Sequence, residues 1–441
     1  MTTTNRTAKP EGEPVGIALL GFGTVGAEVF RLVQENANAF AHRIGGPVEI
    51  RGVAVHNKDK LRPGVPQELL TDDAKALVLR DDIDLVVEVI GGIDFPRELV
   101  LAALNGGKSV VTANKALVAA HADELAEAAD RAGVDLYFEA AVAAAIPVVG
   151  ALRRSLAGDQ IQRISGIVNG TTNFILDAME STGASYEDAL AEATRLGYAE
   201  ADPTADVEGH DAASKAAILA SLGFYTRLTF DDVYCEGISK VTAADIKAAN
   251  EAGYSIKLLA ICERLVDEET GAESVNARVH PTLVPKDHPL ATVSESYNAI
   301  FVEAEAAGSL MFYGNGAGGN PTASAVLGDV VGAARNIVHG GRAPGENTYA
   351  NLPIAEFGEV ETRYHVDMEV EDRTGVLSAI SGVFARHDVS LRTVRQEDGE
   401  TSARLIVVTH AAKEAVLDDI VAALGELDEV KAVHSVIRLG V

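Results

Sequence analysis

The residues best suited to chemistry lie in an acidic segment that runs directly into an apolar helix. Asp211 and Lys215 are four residues apart, so they share one face of that helix. The turns around Lys215 are almost entirely Ala, Ile and Leu, which predicts a buried helix. The alternative is a surface ion pair, but a lysine buried without a partner costs several kcal/mol, so this composition favours a functional lysine. Five carboxylates fall within the twelve residues 200–211, just upstream of Lys215: Glu200, Asp202, Asp206, Glu208 and Asp211.

A glycine-rich turn near the N-terminus predicts a dinucleotide site. Residues 15–20 form an apolar strand, residues 21–26 are G-F-G-T-V-G, and an amphipathic helix follows. Gly21 permits a tight turn, Gly23 lets the backbone approach a pyrophosphate, and Gly26 lets strand and helix pack closely. The helix N-terminus then faces the phosphates. The alternative is a glycine turn in an ordinary α/β unit.

The end of the second predicted strand indicates which dinucleotide is bound. A site for NAD usually places a carboxylate there to bind the ribose 2′-hydroxyl. Here His56 and Asn57 occupy the position, and Lys58, Lys60 and Arg62 follow. The missing acid and the positive charge favour NADP(H), with NAD(H) as the alternative; bases that are simply solvated would give the same pattern.

Strands and helices alternate as far as residue 145, which predicts a doubly wound, Rossmann-type parallel sheet. One strand, residues 108–111, leads into T-A-N-K and places Lys115 at the ligand side of the sheet; a solvated lysine at a helix start is the alternative. A second glycine-rich loop, residues 314–319, precedes a helix of small residues and is also suited to approach a phosphate or a cofactor.

The chain divides into three predicted domains. Residues 1–14 are expected to be a disordered tail, residues 15–145 the dinucleotide-binding domain, and residues 146–340 an α+β substrate-binding and catalytic domain with a mixed sheet. A linker, 341–361, leads to residues 362–441, whose pattern of strands and helices is βαββαβ. This order predicts a ferredoxin-like domain at the C-terminus.

Composition excludes several classes of function. A net charge of −28 over 441 residues argues against nucleic-acid binding and against docking on anionic membranes. With two cysteines the chain has no disulfide framework and suits a reducing cytosol. The longest apolar run, residues 140–152, is too short to span a bilayer. We expect a cytoplasmic protein whose partners are small molecules.

Together these motifs resemble those of the homoserine dehydrogenases, and the resemblance extends from the first strand to the last residue. T-A-N-K, N-G-T-T-N at residues 169–173 and G-N-G-A-G at residues 314–318 are typical of that family. The C-terminal region resembles an ACT domain, an amino-acid-sensing module, with D-R-T-G-V-L at residues 372–377 as its ligand-facing turn. The family's signature is matched at Ala193, Gly197, Asp202, Pro203, Asp206, Gly209, Asp211 and Lys215.

The resemblance implies reversible reduction of L-aspartate 4-semialdehyde to L-homoserine by NAD(P)H, in the biosynthesis of threonine, methionine and isoleucine. Hydride transfer leaves an alkoxide that needs a proton, so Lys215 is the candidate general acid and Lys115 the second candidate. By resemblance, Glu200 and Asp211 bind the substrate ammonium and Asp206 orients the lysines. The dinucleotide contacts that the resemblance adds are Phe22, Thr24, Val25, Lys115, Gly197 and Gly318.

The resemblance also implies a sodium ion, held by Glu139 and by the backbone carbonyls of Val142, Ala144 and Ile146. The family more often has A-V-A-G-G-I-P where this chain has Ala144 and Ala145. If φ is positive at either position, alanine is strained there. A tight loop that holds no ion is the alternative.

We further expect threonine as the effector of the ACT domain, and a homodimer or homotetramer. Two other functions remain open: an oxidoreductase for another amino-acid semialdehyde, and a non-catalytic sensor that binds NADP(H) and an amino acid. The Asp211–Lys215 pair disfavours the sensor, because a sensor has no use for a buried proton donor.

Overall fold

The computed structural model describes residues 7–345, 348–398 and 402–440. The chain forms two compact units. Unit 1 comprises residues 1–161, 217–231 and 298–351, and unit 2 comprises residues 162–216, 232–297 and 352–441. Among the described residues, every helix is too short or too polar to cross a bilayer.

Unit 1 contains a six-stranded parallel sheet in the order β3-β2-β1-β4-β5-β6. This is the strand order of doubly wound dinucleotide-binding folds, so the predicted Rossmann-type fold is confirmed. The strands are β1 (Val15–Leu20), β2 (Val48–Ala54), β3 (Leu70–Thr71), β4 (Leu85–Glu88), β5 (Ser109–Thr112) and β6 (Leu136–Tyr137). The helices up to residue 150 are α1 (Thr24–Glu35), α2 (Ala37–Ile44), α3 (Ala74–Val78), α4 (Asp94–Asn105), α5 (Lys115–Ala132) and α6 (Val148–Gly150), which continues as a π-helical turn (Ala151–Ser155).

A late segment of the chain also belongs to unit 1. It contributes β11 (Tyr297–Ala304), β12 (Gly308–Asn315) and the long helix α12 (Gly319–His339). The apolar face of α12, including Val326, Val330 and Ile337, packs into the same core as β1. The sequence analysis placed this helix in the segment 146–340; its small residues let it lie close against the first sheet instead.

Part of the predicted disordered tail is packed against unit 1. The Lys9 ammonium donates to Asp84 Oδ2 at 2.8 Å, and the backbone N–H of Lys9 donates to the carbonyl of Ile337 at 3.2 Å. The first six residues of that segment lie outside the described residues. Residues 7–14 therefore have defined contacts, which their polar composition did not predict.

Unit 2 is built on a mixed sheet in which β7, β9, β10, β17, β13, β15 and β14 follow one another. Its strands pair antiparallel except where β10 meets β17 and β8. The strands are β7 (Ile161–Ile167), β8 (Val233–Cys235), β9 (Tyr254–Val266), β10 (Glu273–Pro285), β13 (Glu361–Val370), β14 (Leu391–Asp398), β15 (Ala403–Thr409), β16 (Ala412–Lys413) and β17 (Val430–Leu439). The helices are α7 (Gly170–Thr182), α8 (Tyr186–Leu196), α9 (Thr204–Val207), α10 (His210–Phe224, shared with unit 1), α11 (Ala243–Glu251), α13 (Val376–Arg386) and α14 (Glu414–Gly425).

The C-terminal part of unit 2 has the predicted βαββαβ order, from β13 to β17, around its own apolar core. Its last strand also pairs with β10, through Thr282 opposite Arg438 and Leu283 opposite Leu439. The C-terminal sheet is therefore continuous with the sheet of the central segment, and side chains of β17 reach that segment directly.

Candidate active site

Lys215 lies on α10 and is buried, as its apolar neighbours predicted. Its side chain is 9% exposed, and that of Asp211 is 6% exposed. The Lys215 ammonium donates to Asp211 Oδ2 at 2.7 Å and to the carbonyl of Val168 at 2.6 Å. Because Val168 follows the last residue of β7, its carbonyl can accept from a side chain. The lysine is therefore fixed between a carboxylate and a carbonyl.

Asn169 joins the acidic residues to one another. Its amide Nδ2 donates to Asp206 Oδ1 at 2.7 Å and to Asp211 Oδ2 at 2.9 Å. Its Oδ1 accepts from the backbone N–H of Thr172 at 2.9 Å and so caps α7. The sequence analysis noted N-G-T-T-N but did not include Asn169 in the site. An Asn followed by a helix is an N-cap signal, and this signal would have found it.

The structure brings together three of the predicted residues, Asp206, Asp211 and Lys215, on α9 and α10. The fourth, Glu200, is exposed in the segment between α8 and α9. Gly197 ends α8 with φ 82°, a left-handed conformation that suits glycine.

The first glycine-rich turn has the geometry that the sequence predicted. Gly21 has φ 102°, and a Cβ atom there would lie 2.8 Å from the carbonyl oxygen of Val89. A Cβ on Gly26 would lie 2.2 Å from the carbonyl oxygen of Gly21, whereas a Cβ on Gly23 would meet nothing within 4 Å. Gly21 and Gly26 are thus required by close packing, and Gly23 leaves space above the N-terminus of α1. Phe22, Thr24 and Val25 complete this turn.

The second glycine-rich loop lies against the first within unit 1. Gly318, with φ 112°, precedes α12, and a Cβ on Gly319 would come within 2.9 Å of Thr24 Cγ2. Arg31 donates to Asn320 Oδ1 at 3.2 Å across the same contact. The two loops therefore border one region, next to the free N–H groups of α1.

The T-A-N-K motif is held by the strand beside it. Thr112 Oγ1 donates to Glu88 Oε2 at 2.5 Å, and the Asn114 amide donates to the carbonyl of Gly92 at 2.7 Å. Asn114 also caps α5, whose first residue is the exposed Lys115. The fully buried Glu88 was not singled out from the sequence. It ties together the ends of β4 and β5, at the edge where a doubly wound sheet binds its ligand.

Positive charge lies beside the first glycine-rich turn. The Arg62 guanidinium is 6.0 Å from the centroid of the Phe22 ring, and it donates to the carbonyls of Asn57 and Lys60. Lys58 is paired with Asp72 at 2.9 Å. Of the three bases noted in the sequence, Arg62 is therefore the one placed over the turn.

The residues assigned to a cation include one half-buried carboxylate, that of Glu139. Glu139 accepts from the backbone N–H groups of Val149 at 2.9 Å and Gly150 at 2.7 Å, and its own N–H donates to Asp329 Oδ2 at 2.8 Å. Burial raises the pKa of Glu139, and burial with the nearby Glu139 charge raises the pKa of Asp329 to about 7. Asp329 is buried and Glu139 is half-buried, and both attract positive charge, which the nearby Arg153 and Arg154 supply in part.

The backbone next to Glu139 is unusual. Ala143 and Ala144 have φ of 53° and 44°, and alanine is strained in this left-handed region. The sequence analysis foresaw this strain at Ala144 as one of two positions; Ala145 does not have positive φ. The Ile146 carbonyl accepts from the N–H of Val148 at 2.8 Å, and Val142 directly precedes the strained pair. The two successive left-handed residues make the chain turn sharply here.

The first unit has a Rossmann-type sheet with a glycine-rich turn. The second has a mixed sheet, a buried lysine and a terminal βαββαβ domain. These features are those of an oxidoreductase that uses a nicotinamide dinucleotide and carries an ACT domain. Family models match in the same order: the homoserine dehydrogenase NAD binding domain at residues 21–139, homoserine dehydrogenase at residues 147–331, and the ACT domain at residues 364–429. The chain is 71% identical to a homoserine dehydrogenase of Corynebacterium glutamicum over 98% of this chain and 97% of that protein. The chain belongs to the homoserine dehydrogenase family, and the predicted enzymatic function is confirmed.

A second relative and one solved structure agree over almost the whole length of this chain, and another solved structure agrees over 73% of it. A homoserine dehydrogenase of Mycobacterium tuberculosis is 59% identical over 97% of this chain and 98% of that protein. The crystal structure of a homoserine dehydrogenase from Thiobacillus denitrificans is similar with a TM-score of 0.90 and 39% identity, over 97% of this chain and 98% of that one. A hyperthermophilic archaeal homoserine dehydrogenase in complex with NADPH is similar with a TM-score of 0.61 and 29% identity, over 73% of this chain and 97% of that one.

Proposed function

We propose that this enzyme interconverts L-aspartate 4-semialdehyde and L-homoserine with Lys215 as the proton-transfer residue. When bound, the dinucleotide supplies the hydride that the aldehyde carbon accepts. The ammonium of Lys215 stabilises the alkoxide that develops and donates a proton to its oxygen; in the reverse direction the amine accepts that proton. The observation that supports this role is the burial of Lys215 between Asp211 and the Val168 carbonyl, where its charge is poorly screened by water.

The carboxylates around Lys215 supply the binding site for the substrate ammonium. Asp211 is fixed by both Lys215 and Asn169, and Asp206 is fixed by Asn169. Glu200 is exposed and is available to contact a ligand from the solvent side. Lys115, at the start of α5, is the second candidate for proton transfer. It contributes positive charge at the ligand edge of the first sheet.

The substrate assignment is tested with a panel of amino-acid semialdehydes. We expect kcat/KM for L-aspartate 4-semialdehyde to exceed the value for homologues that are one methylene shorter or longer. We further propose that Asp206, which the resemblance assigned to orienting the lysines, also contacts the substrate ammonium. Asp206→Asn should then raise KM for homoserine more than it changes kcat, because the carboxylate binds the ammonium and not the reacting carbon. Equal turnover across the panel would contradict the assignment and favour an enzyme for another semialdehyde.

We assign NADP(H) as the preferred dinucleotide, held at Gly21, Phe22, Gly23, Thr24, Val25, Gly26, Lys115, Gly197 and Gly318. The support is the position of the Arg62 guanidinium over Phe22, where it can pair with a ribose 2′-phosphate. Arg62→Ala should lower kcat/KM for NADP(H) and leave that for NAD(H) nearly unchanged. Lys60→Ala, which removes a nearby charge of the same sign, is the matched control. Parallel loss with both dinucleotides would contradict this preference.

We assign a sodium ion to Glu139 and to the carbonyls of Val142, Ala144 and Ile146. The half-buried carboxylate of Glu139 and the sharp turn beside it support the site, since a monovalent cation takes oxygen ligands and offsets the cost of partly burying an acid. The ion would hold the loop in place and would take no part in proton transfer. Thermal unfolding of the enzyme in sodium and in choline salts tests this assignment. An equal Tm in both salts, at several ionic strengths, would show that no sodium ion is bound.

We assign threonine as the effector of the ACT domain and a homodimer or homotetramer as the assembly. The D-R-T-G-V-L turn lies between β13 and α13, and Gly375 has φ 96° at the start of the helix. Asp372 is exposed in this turn. Asp372→Ala should weaken inhibition by threonine while the basal rate is kept, whereas unchanged inhibition would place the effector elsewhere. Light scattering during gel filtration measures the mass of the assembly.

A further inference from the structure

Arg438 is a buried cation on the last strand of the ACT domain. Its Nε donates to both oxygens of Glu414, at 3.1 Å and 3.0 Å, and its Nη1 donates to Glu236 Oε2 at 2.6 Å. Its guanidinium carbon also lies 5.1 Å from the centroid of the Phe357 ring and 5.5 Å from that of Tyr364. Arg438 therefore contacts one carboxylate within the ACT domain and one outside it.

Glu236 belongs to a segment that is packed against the acidic loop of the active site. A Cβ atom on Gly237 would lie 2.2 Å from the carbonyl oxygen of Val207, so the two backbones are in direct contact. The N–H of Ile238 donates to that same carbonyl at 2.8 Å. On the other side of Glu236, Cys235 Sγ donates to the carbonyl of Glu208 at 3.2 Å. A shift of Glu236 would therefore move residues 207–208.

Residues 207–208 directly follow Asp206. The short helix α9 is closed by backbone hydrogen bonds, including that from the N–H of Val207 to the carbonyl of Pro203 at 2.9 Å. Asp206 then accepts from Asn169, which also binds Asp211 beside Lys215. Every step from Arg438 to the catalytic lysine is thus a hydrogen bond, an ion pair or a backbone contact within unit 2.

We propose that Arg438 is a positioning residue for the homoserine site, and that it acts through Glu236 on the loop that holds Asp206. The inference rests on the proposed role of Asp206 in binding the substrate ammonium. The ACT domain thereby completes the substrate site, because the arginine that fixes the loop comes from its last strand.

The two partners of Arg438 make the inference testable by a mild substitution. Glu236→Gln removes the charge of the carboxylate that lies outside the ACT domain. Arg438 keeps its ion pair with the fully buried Glu414 inside the ACT domain. The guanidinium is then not left alone in the interior, so the variant is expected to fold. Although burial opposes it, the charges of Glu414 and Glu236 hold the pKa of Arg438 above its ordinary value, so the guanidinium stays charged across the assay range.

The decisive measurement is the steady-state oxidation of homoserine by the full-length enzyme. Glu236→Gln should raise KM for homoserine roughly 3- to 30-fold, the range found for substitutions along a coupled network, while KM for NADP changes less than about twofold. Arg438→Met should likewise raise KM for homoserine and leave KM for NADP nearly unchanged. In the double variant KM for homoserine should be no higher than in either single variant, because Arg438 acts on the loop only through Glu236. Glu359→Gln, which breaks the exposed pair with Lys413, is the matched control and should leave both KM values unchanged.

Asp206→Asn distinguishes a failure of the role of Asp206 from a failure of the role of Arg438. If it raises KM for homoserine and Glu236→Gln does not, Arg438 has no positioning role and the inference is overturned. If Asp206→Asn itself leaves KM unchanged, the role of Asp206 is wrong and the inference falls with it. If the ion pair only stabilises the fold, its loss should lower Tm and change KM for homoserine and KM for NADP together. That result would also overturn the inference. If Arg438→Met does not fold, Glu236→Gln alone decides.

Discussion

Replacing Lys215 tests the proposed mechanism most directly. We choose Lys215→Met, because methionine keeps most of the apolar stem and therefore the packing of α10. The substitution removes the ammonium that donates to Asp211 and to the Val168 carbonyl. It leaves the carboxylate of Asp211 with the Asn169 amide, at 2.9 Å.

Two effects of different size follow from this geometry. Loss of a positioned proton donor lowers turnover by roughly 10²- to 10⁴-fold, or about 3–5 kcal/mol in the activation free energy. Loss of one partner of a buried ion pair costs about 3–5 kcal/mol of stability, because Asp211 is only 8% exposed. The double variant Lys215→Met/Asp211→Asn removes both charges and should recover much of that stability, but no activity.

The assay combines rate, binding and folding. We expect kcat for homoserine oxidation to fall in both variants, NADPH binding measured by fluorescence to be kept, and Tm to fall only in the single variant. NADPH binding is kept because the residues proposed to hold the dinucleotide do not include Lys215. A kcat within tenfold of the wild-type value in a folded Lys215→Met enzyme would refute the proposal and direct attention to Lys115.

Three further predictions follow from backbone and burial. Gly23→Ala should fold normally, since a Cβ at this position meets nothing within 4 Å. It should weaken NADPH binding roughly tenfold or more, because the added methyl group blocks the pyrophosphate. Gly158→Ala, at a position that is equally unhindered, is the control. Ala144→Gly should raise the free energy of unfolding by about 0.5–1 kcal/mol, because φ is 44° there, whereas Ala145→Gly should lower it; denaturant titration measures both. Burial lowers the pKa of His280 below 6.5, so the unfolded chain takes up a proton that the folded chain does not, and stability is lost as the pH falls through 6.5. His280→Gln should therefore lose less stability than the wild-type protein between pH 7 and pH 5.5, as measured by denaturant titration at both pH values.

The sequence predicted the parts of the fold that local patterns encode. β1 is an apolar run followed by a glycine turn, and α8 has a serine before it and a glycine after it, so both could be recognised from neighbouring residues alone. β9 was not identified from the sequence. Its first nine residues are almost all buried, the polar Ser255 and Lys257 included, so the strand lacks the alternation of buried apolar and exposed polar residues by which a strand is recognised. The position of α12 was beyond local reasoning, because a helix that follows unit 2 in the chain packs into the core of unit 1.

In the candidate site, too, the sequence predicted local features and not long-range ones. The four-residue spacing of Asp211 and Lys215 and the apolar turns around them are local, and the burial they predicted is present. The link through Asn169 is not local, since it joins residues separated by 37 and 42 positions. The strain at Ala143 was not foreseen, because only the two following positions differ from the family's glycines.

The contacts of Asn169 explain why Lys215 can be buried. β7 ends at Ile167, so the carbonyl of Val168 lies beyond the strand and accepts from Lys215. The next residue turns the chain into α7, capping it with one side-chain atom and binding two carboxylates with the other. Each group that would be costly to bury alone, the ammonium, the carboxylates and the free N–H of the helix start, is thereby paired. The strand end, the helix start and the acidic loop thus form one hydrogen-bonded unit, and a displacement of any one of them reaches the ammonium of Lys215.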